Sequence, residues 1–234
     1  MIALGIALCL FLGDTANTVP LNTGFLVVDG VYNTELTAPF DILEHSKYRK
    51  QAVYFRCFLV SPDGRPVTTA EGLTLSVDYS FENCPALDVL VVPSTMTSMD
   101  KDLAEGPYLA FVKRRAAEAA VVMSLCDGAF PLAAAGLLDG KHATTFPGDR
   151  RALAARFPQT TVHHDVWFVQ DGKCITSVGG ARSFEPALFL ADQWFGPAYA
   201  QALAEGLVLD WNPSTLPHKT FAPLPKRPKS GGTP

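Results

Sequence analysis

The 234-residue chain is predicted to fold as one three-layer α/β/α domain around a mostly parallel sheet. Three observations predict it. Short apolar runs of the kind buried in a parallel sheet recur along the chain, separated by stretches with helical spacing. Hydrophobic residues make up 48% of the composition and charged residues 18%, which is core material for one domain and not the balance of a disordered chain. Turn signals such as Glu71-Gly72 and Asp171-Gly172 close several of the apolar runs.

Taken in order, GFLVVDG (Gly24 to Gly30) reads as a strand ending in a turn. TELTAPFDILEHSKY (Thr34 to Tyr48) reads as a helix with Leu36, Phe40 and Leu43 on its apolar face and Pro39 placed within about its first turn. Ala52 to Pro62 is a second strand, and Pro66 to Phe81 is β-rich. Asp88 to Ser94 is a short continuous apolar strand. Met99 to Ala119 is helical, interrupted at Gly106-Pro107. Ala120 to Leu125 is a buried strand, followed by a helix over Ala129 to Leu138. Asp165 to Gly180 holds two strands joined at Asp171-Gly172, and a last helix starts near Ser183, its expected N-cap, with Pro186 close behind. The expected organisation is an N-terminal segment over 1–22, the domain over 23–211, and a mobile Pro-, Lys- and Gly-rich tail over 212–234.

Net charge is −4, and the basic cluster lies in the tail at Lys219, Lys226, Arg227 and Lys229, which argues against a nucleic-acid surface. Ile2 to Leu12 is an unbroken apolar run of 11 residues, short of the roughly 20 needed for a bilayer span. It reads either as the apolar core of an export signal or as a buried N-terminal segment. No Lys or Arg precedes it, and Gly13 to Asn17 makes a poor cleavage site. The expected location is periplasmic or extracellular under the first reading and cytoplasmic under the second. Cys9, Cys57, Cys84, Cys126 and Cys174 show no metal spacing, and no phosphate- or dinucleotide-binding loop is present, so no metal or cofactor is expected. Cys57 and Cys84 are either buried thiols or a disulfide pair.

The segment VVMSLCDGAF (Val121 to Phe130) carries the clearest chemical signal. A buried strand ends at a lone cysteine and a helix follows. Cys126 is either a small core residue or a nucleophile on a tight strand-to-helix turn. Such a turn needs small residues two before and two after the nucleophile, here Ser124 and Gly128. A helix N-terminus would favour thiolate, and the Asp127 N–H could hold a developing oxyanion. The Asp127 carboxylate either caps the helix or, if aimed at the sulfur, raises the thiol pKa.

SLCDGAFPLAAAGLLDGKHATT (Ser124 to Thr145) resembles the signature segment of the DJ-1/PfpI (ThiJ/PfpI) superfamily, a class I glutamine amidotransferase-like group. It is closest to the branch related to the amidotransferase-like domains of AraC-type regulators. FPQTTVHHDVWFVQDGKCITSVGG (Phe157 to Gly180) and NTELTAPFDILEH (Asn33 to His45) resemble two further family segments, in family order. The resemblance implies a flavodoxin-like, Rossmann-like sheet with a nucleophile elbow, and commonly a homodimer. It implies Glu35, four residues before Pro39, as the carboxyl that reaches Cys126, either donating a hydrogen bond to sulfur or moving a proton. Read from the residues alone, Glu35 is a helix-start carboxylate.

Two positions depart from the family. Phe146 stands where many members carry a histidine after Ala-Thr-Thr, which removes the base of a Cys–His dyad. Pro93-Ser94-Thr95 stands where Pro-Gly-Gly is common, leaving Ser94 and Thr95 N–H groups as candidate oxyanion donors. His45, His142, His163, His164 and His218 read as surface or capping residues, and Arg182 and Glu185 as the start of the last helix. Without the histidine, the resemblance favours a hydratase or glyoxalase-like enzyme acting on a small electrophile, an isonitrile among the candidates. The alternative is a ligand-binding or redox-sensing protein.

Overall fold

The computed structural model describes residues 19–49, 53–104 and 106–228. The apolar run at Ile2 to Leu12, and with it the export reading, lies outside the described residues. The strands and helices in chain order are β1 (Val19–Leu26), α1 (Asn33–Glu44), β2 (Val53–Ser61), β3 (Val67–Thr68), β4 (Thr74–Leu75), β5 (Tyr79–Ser80) and β6 (Val89–Val92). They continue as α2 (Pro107–Glu118), β7 (Val121–Leu125), α3 (Ala129–Ala134), β8 (His142–Ala143), α4 (Arg150–Arg156), β9 (Thr161–Val162) and β10 (Phe168–Asp171). The chain closes with β11 (Cys174–Ser177), α5 (Phe184–Phe195), α6 (Pro197–Gly206) and β12 (His218–Thr220).

Eight strands form one sheet in the order β12-β10-β11-β7-β6-β1-β2-β5. Every pairing is parallel except β10 with β11, the hairpin expected at Asp171-Gly172. Gly172 supplies the positive φ of +60° that its turn requires. Alternation along the central strands splits the core into two layers. Val89, Val91, Val121, Met123 and Leu125 point to one face, where α1, α5 and α6 pack, while Leu90, Val92 and Val122 point to the other, covered by α2, α3 and α4. This is the predicted flavodoxin-like three-layer architecture. Its parallel strands place their carboxyl ends together, where open α/β sheets bind ligands. No helix among the described residues is long and apolar enough to cross a membrane.

Three local expectations are corrected. Pro39 is the seventh residue of α1, not in its first turn. Burial of Leu36, Pro39, Ile42 and Leu43 against the sheet carries the helix through the lost N–H. Ser183 is not a side-chain cap: a turn of 3₁₀ helix over Gly180–Ser183 leads into α5, and the buried Ser183 hydroxyl has no partner. The segment from Asn212 to Pro228 is not a mobile tail. β12 pairs with β10, the His218 ring stacks on Phe168, Phe221 lies 3.6 Å from the His142 ring, and Trp194 Nε1–H donates to the Pro225 carbonyl at 3.0 Å. The physical reason is that β10 would otherwise be an open edge with unpaired backbone groups.

Cys57 and Cys84 are free thiols on opposite faces of the sheet, Cys57 beside the first core layer and Cys84 in the second, so they cannot bridge.

Candidate active site

β7 ends at Leu125 and the chain turns sharply at Cys126, whose φ of +53° is one of two positive values among the described non-glycine residues. An L-residue holds this conformation at a cost on the order of 1 kcal/mol, tolerated where the surroundings enforce it. Three neighbours enforce it. Gly128 packs against β6 so closely that a Cβ there would lie 2.0 Å from the Val92 carbonyl oxygen. Gly179, with φ +78°, passes so near that its Cβ would lie 2.3 Å from the Cys126 Cβ. Thr145 Oγ1 stands 2.9 Å from the Cys126 carbonyl oxygen. Ser124 is fully buried between Val92 and Thr176, a place for a small side chain, and its hydroxyl has no partner.

Glu35 enters from the first turn of α1 and is 9% exposed. The Gly180 N–H donates to its Oε1 at 3.0 Å. Because Gly179 touches Cys126 and Gly180 holds Glu35, one two-glycine turn brings thiol and carboxyl together, and the Glu35 charge acts on the Cys126 thiol. The two residues are 91 positions apart in the sequence and are drawn to the same two-glycine turn.

The expectation of a thiolate-favouring helix terminus is overturned. Burial pushes the Cys126 thiol up to about 12; the Asp127 carboxylate adds to the rise, the Ser94 hydroxyl works against it, and Glu35 adds further. The helix after the turn, α3, has only six residues, too little to offset burial and two carboxylates. The resting thiol is therefore protonated and needs a base to become a nucleophile.

The oxyanion candidates divide. The Thr95 N–H already donates to Ser98 Oγ at 2.8 Å, so Thr95 is withdrawn as a donor. That bond belongs to a buried knot in which Asp102 accepts from the Thr95 and Thr97 hydroxyls. Ser94 and Asp127 remain beside the sulfur, and the Ser94 hydroxyl has no hydrogen-bond partner of good geometry. Phe146 is 46% exposed, its ring over Gly148. No histidine replaces it. His45 contacts the Asp41 carbonyl, His142 pairs with His163, and His218 contacts the Leu216 carbonyl; none is among the groups that shift Cys126. Arg182 lies over the Trp167 ring at 3.5 Å and pairs with Glu185 at the start of α5. A cleft of about 770 Å³ opens on the same sheet edge between Val28, Ser61, Thr97 and Tyr108, but neither Cys126 nor Glu35 lines it.

Sequence reasoning noted the Gly179-Gly180 turn but not its role. It also missed Thr145 and Asp149, which meet Asp127 only after the loop from β8 to α4 has folded over the turn.

The model of the DJ-1/PfpI family matches residues 23–192. The chain belongs to the DJ-1/PfpI family. It is 34% identical to the isonitrile hydratase of Pseudomonas putida over 194 residues, 83% of this chain and 80% of that protein. It is 25% identical to the HTH-type transcriptional regulator GbdR of Pseudomonas aeruginosa, where the match covers 83% of this chain and 52% of the regulator, about half its length. Among solved structures, a ThiJ/PfpI family protein from Pseudomonas syringae superposes with a TM-score of 0.72 at 25% identity, covering 86% of this chain and 80% of that one. An AraC family transcriptional regulator from Pseudomonas putida superposes with a TM-score of 0.69 at 26% identity, covering 80% of this chain and all of that one.

Proposed function

We propose that this DJ-1/PfpI protein is a cysteine-dependent enzyme that hydrates a small electrophile, an isonitrile above all. The observation that carries the reading is Cys126 on a positive-φ turn with Glu35 hung beside it on the Gly180 N–H. The similarity to an isonitrile hydratase over most of both chains supports the choice of substrate.

With a thiol at about 12, Glu35 is the base that makes attack feasible. Sulfur bonds to the isonitrile carbon as the S–H proton passes to Glu35 and then to that carbon, giving a thioimidate. Water adds to the thioimidate carbon, nitrogen gains a proton, and cleavage of the C–S bond frees an N-substituted formamide and restores the thiol. The N–H groups of Asp127 and Ser94 would stabilise negative charge as it develops. The missing histidine at Phe146 disfavours amide hydrolysis, where a leaving amine must be protonated by a strong, mobile acid.

The test is formamide release from a panel of alkyl and aryl isonitriles, with glyoxals and primary amides as comparison substrates. Cys126→Ser and Glu35→Gln are each expected to lower turnover about 100-fold or more. Unchanged turnover in either variant, or no activity in the wild type on any of the three classes, overturns the proposal. A second reading, a ligand-binding domain, is favoured by the fit to the AraC family structure. It predicts saturable binding of a small molecule, unaffected by Cys126→Ser, with no product formed.

A further inference from the structure

Away from the thiol, three basic side chains form one hydrogen-bonded chain against β12. His142 opens β8, and His163 directly follows β9, the strand paired with it. The two rings meet, His142 Nδ1 to His163 Nε2, at 2.9 Å. On the far side of His163, Lys219 Nζ from β12 stands 3.1 Å from Nδ1. Phe221, two residues on, lies flat on the His142 ring at 3.6 Å and 5.3 Å from the His163 ring. β12 itself runs parallel to β10 and covers its edge.

The lysine fixes the protons of the whole chain. An ammonium only donates, so His163 Nδ1 must offer a lone pair. His163 is then neutral with its proton on Nε2, and that N–H donates to His142 Nδ1. His142 must in turn be neutral, with its proton on Nε2. An added proton on His163 Nδ1 takes the acceptor from Lys219 and sets two cations 3.1 Å apart. An added proton on His142 Nδ1 sets two N–H groups against each other. Only the arrangement with both rings neutral holds both bonds.

The surrounding groups do not relieve this. The exposed His164 adds positive charge when ionised. Lys141, before His142, brings a further ammonium over Gly172. Arg150 of α4 donates to Thr144 Oγ1, whose hydroxyl donates to the His163 carbonyl, and Asp165 acts on Arg150. Asp171 of β10 faces main chain: Oδ2 accepts from the His142 backbone N–H at 2.9 Å and Oδ1 from the Ala222 N–H at 3.4 Å. It is not among the groups that shift His163. His218, on β12, has Nδ1 2.9 Å from the Leu216 carbonyl. A carbonyl only accepts, so Nδ1 donates there, and a further proton on Nε2 leaves that bond standing.

We propose that Lys219, His163 and His142 are an acid-released latch, which closes β12 over the edge of β10 at neutral pH and opens when the rings take up a proton. Burial holds His163 below its ordinary value near 6.5, and Lys219, His142 and His164 lower it further. A released His163 therefore binds a proton more readily than a latched one, so acid favours release, beginning as pH falls through about 6.5. Each unit of that depression is a tenfold change in the opening equilibrium. The opening is local, because neutral bonds from Gly172 N–H and Gln170 Nε2 to the Ala222 carbonyl, and from Trp194 Nε1 to the Pro225 carbonyl, keep the segment at hand. It bares the backbone of β10 over Phe168 to Gln170, which another strand can pair with. None of the three residues is among the groups that act on Cys126, so the latch stands apart from the hydration chemistry.

Amide hydrogen exchange of the 234-residue chain, followed by mass spectrometry and corrected for the intrinsic effect of pH, reads the opening. Peptides over 212–224 are expected to exchange about threefold to tenfold faster at pH 5.5 than at pH 7.5, while peptides over β7 do not change. Lys219→Met decides the cause. Without the ammonium, an extra proton on His163 Nδ1 meets no cation and Nε2–H still donates to His142, so the acid response should disappear. His163→Gln keeps a donor and an acceptor without a titrating ring and should lose the response as well. Nitrogen NMR of the imidazoles at pH 7.5 should show both rings protonated at Nε2. Exchange of β12 that is independent of pH, an acid response equal across the whole sheet, or His163 protonated at Nδ1 each overturns the latch. So does a response retained in Lys219→Met, or in His163→Gln if the first variant does not fold.

Discussion

Replacing Gly128 by alanine tests whether the tight approach of the Cys126 turn to β6 is what holds the Cys126 thiol in place. The new methyl carbon would start 2.0 Å from the Val92 carbonyl oxygen and 3.0 Å from the Val92 carbonyl carbon. An ordinary contact is about 3.5 Å, so two backbone segments must part by roughly 1.5 Å. The obstacle is main chain inside the sheet, not the end of a flexible side chain. The cost therefore belongs at the upper end of the range for overpacking, about 3 kcal/mol. For a chain of this size that lowers Tm by about 6–12 °C. On the hydration proposed above, a displacement of about 1 Å at the thiol would also cost roughly 100-fold in turnover. Gly106→Ala is the control: its methyl group would meet only the Ala104 carbonyl oxygen at 3.8 Å, and about 1 kcal/mol or less is expected. The assay is thermal unfolding followed by circular dichroism, with Cys126 alkylation measured on the folded variants. A Gly128→Ala protein melting within 2 °C of wild type, on the order of the shift for the control, would refute the steric account of the turn.

Three further outcomes are expected. Asp102→Ala strips the buried Thr95 and half-buried Thr97 hydroxyls of their acceptor and should cost about 2 kcal/mol, read as a Tm lower by roughly 4–8 °C; an unchanged melt would show the knot to be dispensable. Asp127 has a folded-state pKa above its unfolded value, so its charge destabilises the fold, increasingly as pH rises from about 4 to 6. Asp127→Asn should then be more stable than wild type at pH 8, with the difference vanishing by pH 4; a difference that grows as pH falls would contradict the raised pKa. Truncation after Trp211 removes β12 and the partner of Trp194 Nε1–H, bares the edge of β10, and should lower Tm and promote aggregation; a monodisperse truncated protein with the parent Tm would show the segment to be peripheral.

The fold was legible because a parallel sheet needs strands apolar on both faces, and those runs stand out at Val89–Val92 and Val121–Leu125. The turn at Cys126 was legible for a related reason: small residues at 124 and 128 are a local steric demand written in adjacent positions. The segment after Asn212 was misread because its composition is that of a solvated tail, whereas its placement is decided by an edge strand more than 40 residues earlier, β10.

The sequence by itself determined the three-layer architecture, the tight turn and the identity of the nucleophile candidate, because each depends on local pattern and spacing. Only the tertiary structure decided the state of that nucleophile. Burial and the meeting of Cys126 with Glu35, Asp127 and, through it, Asp149 are sums over groups up to 91 positions apart in the chain, from Glu35 to Cys126. An electrostatic environment is set by distance in space, which spacing along the chain does not encode. That is why a thiol expected to be ionised by its helix is instead held protonated, with the Asp127 and Glu35 carboxyls beside it.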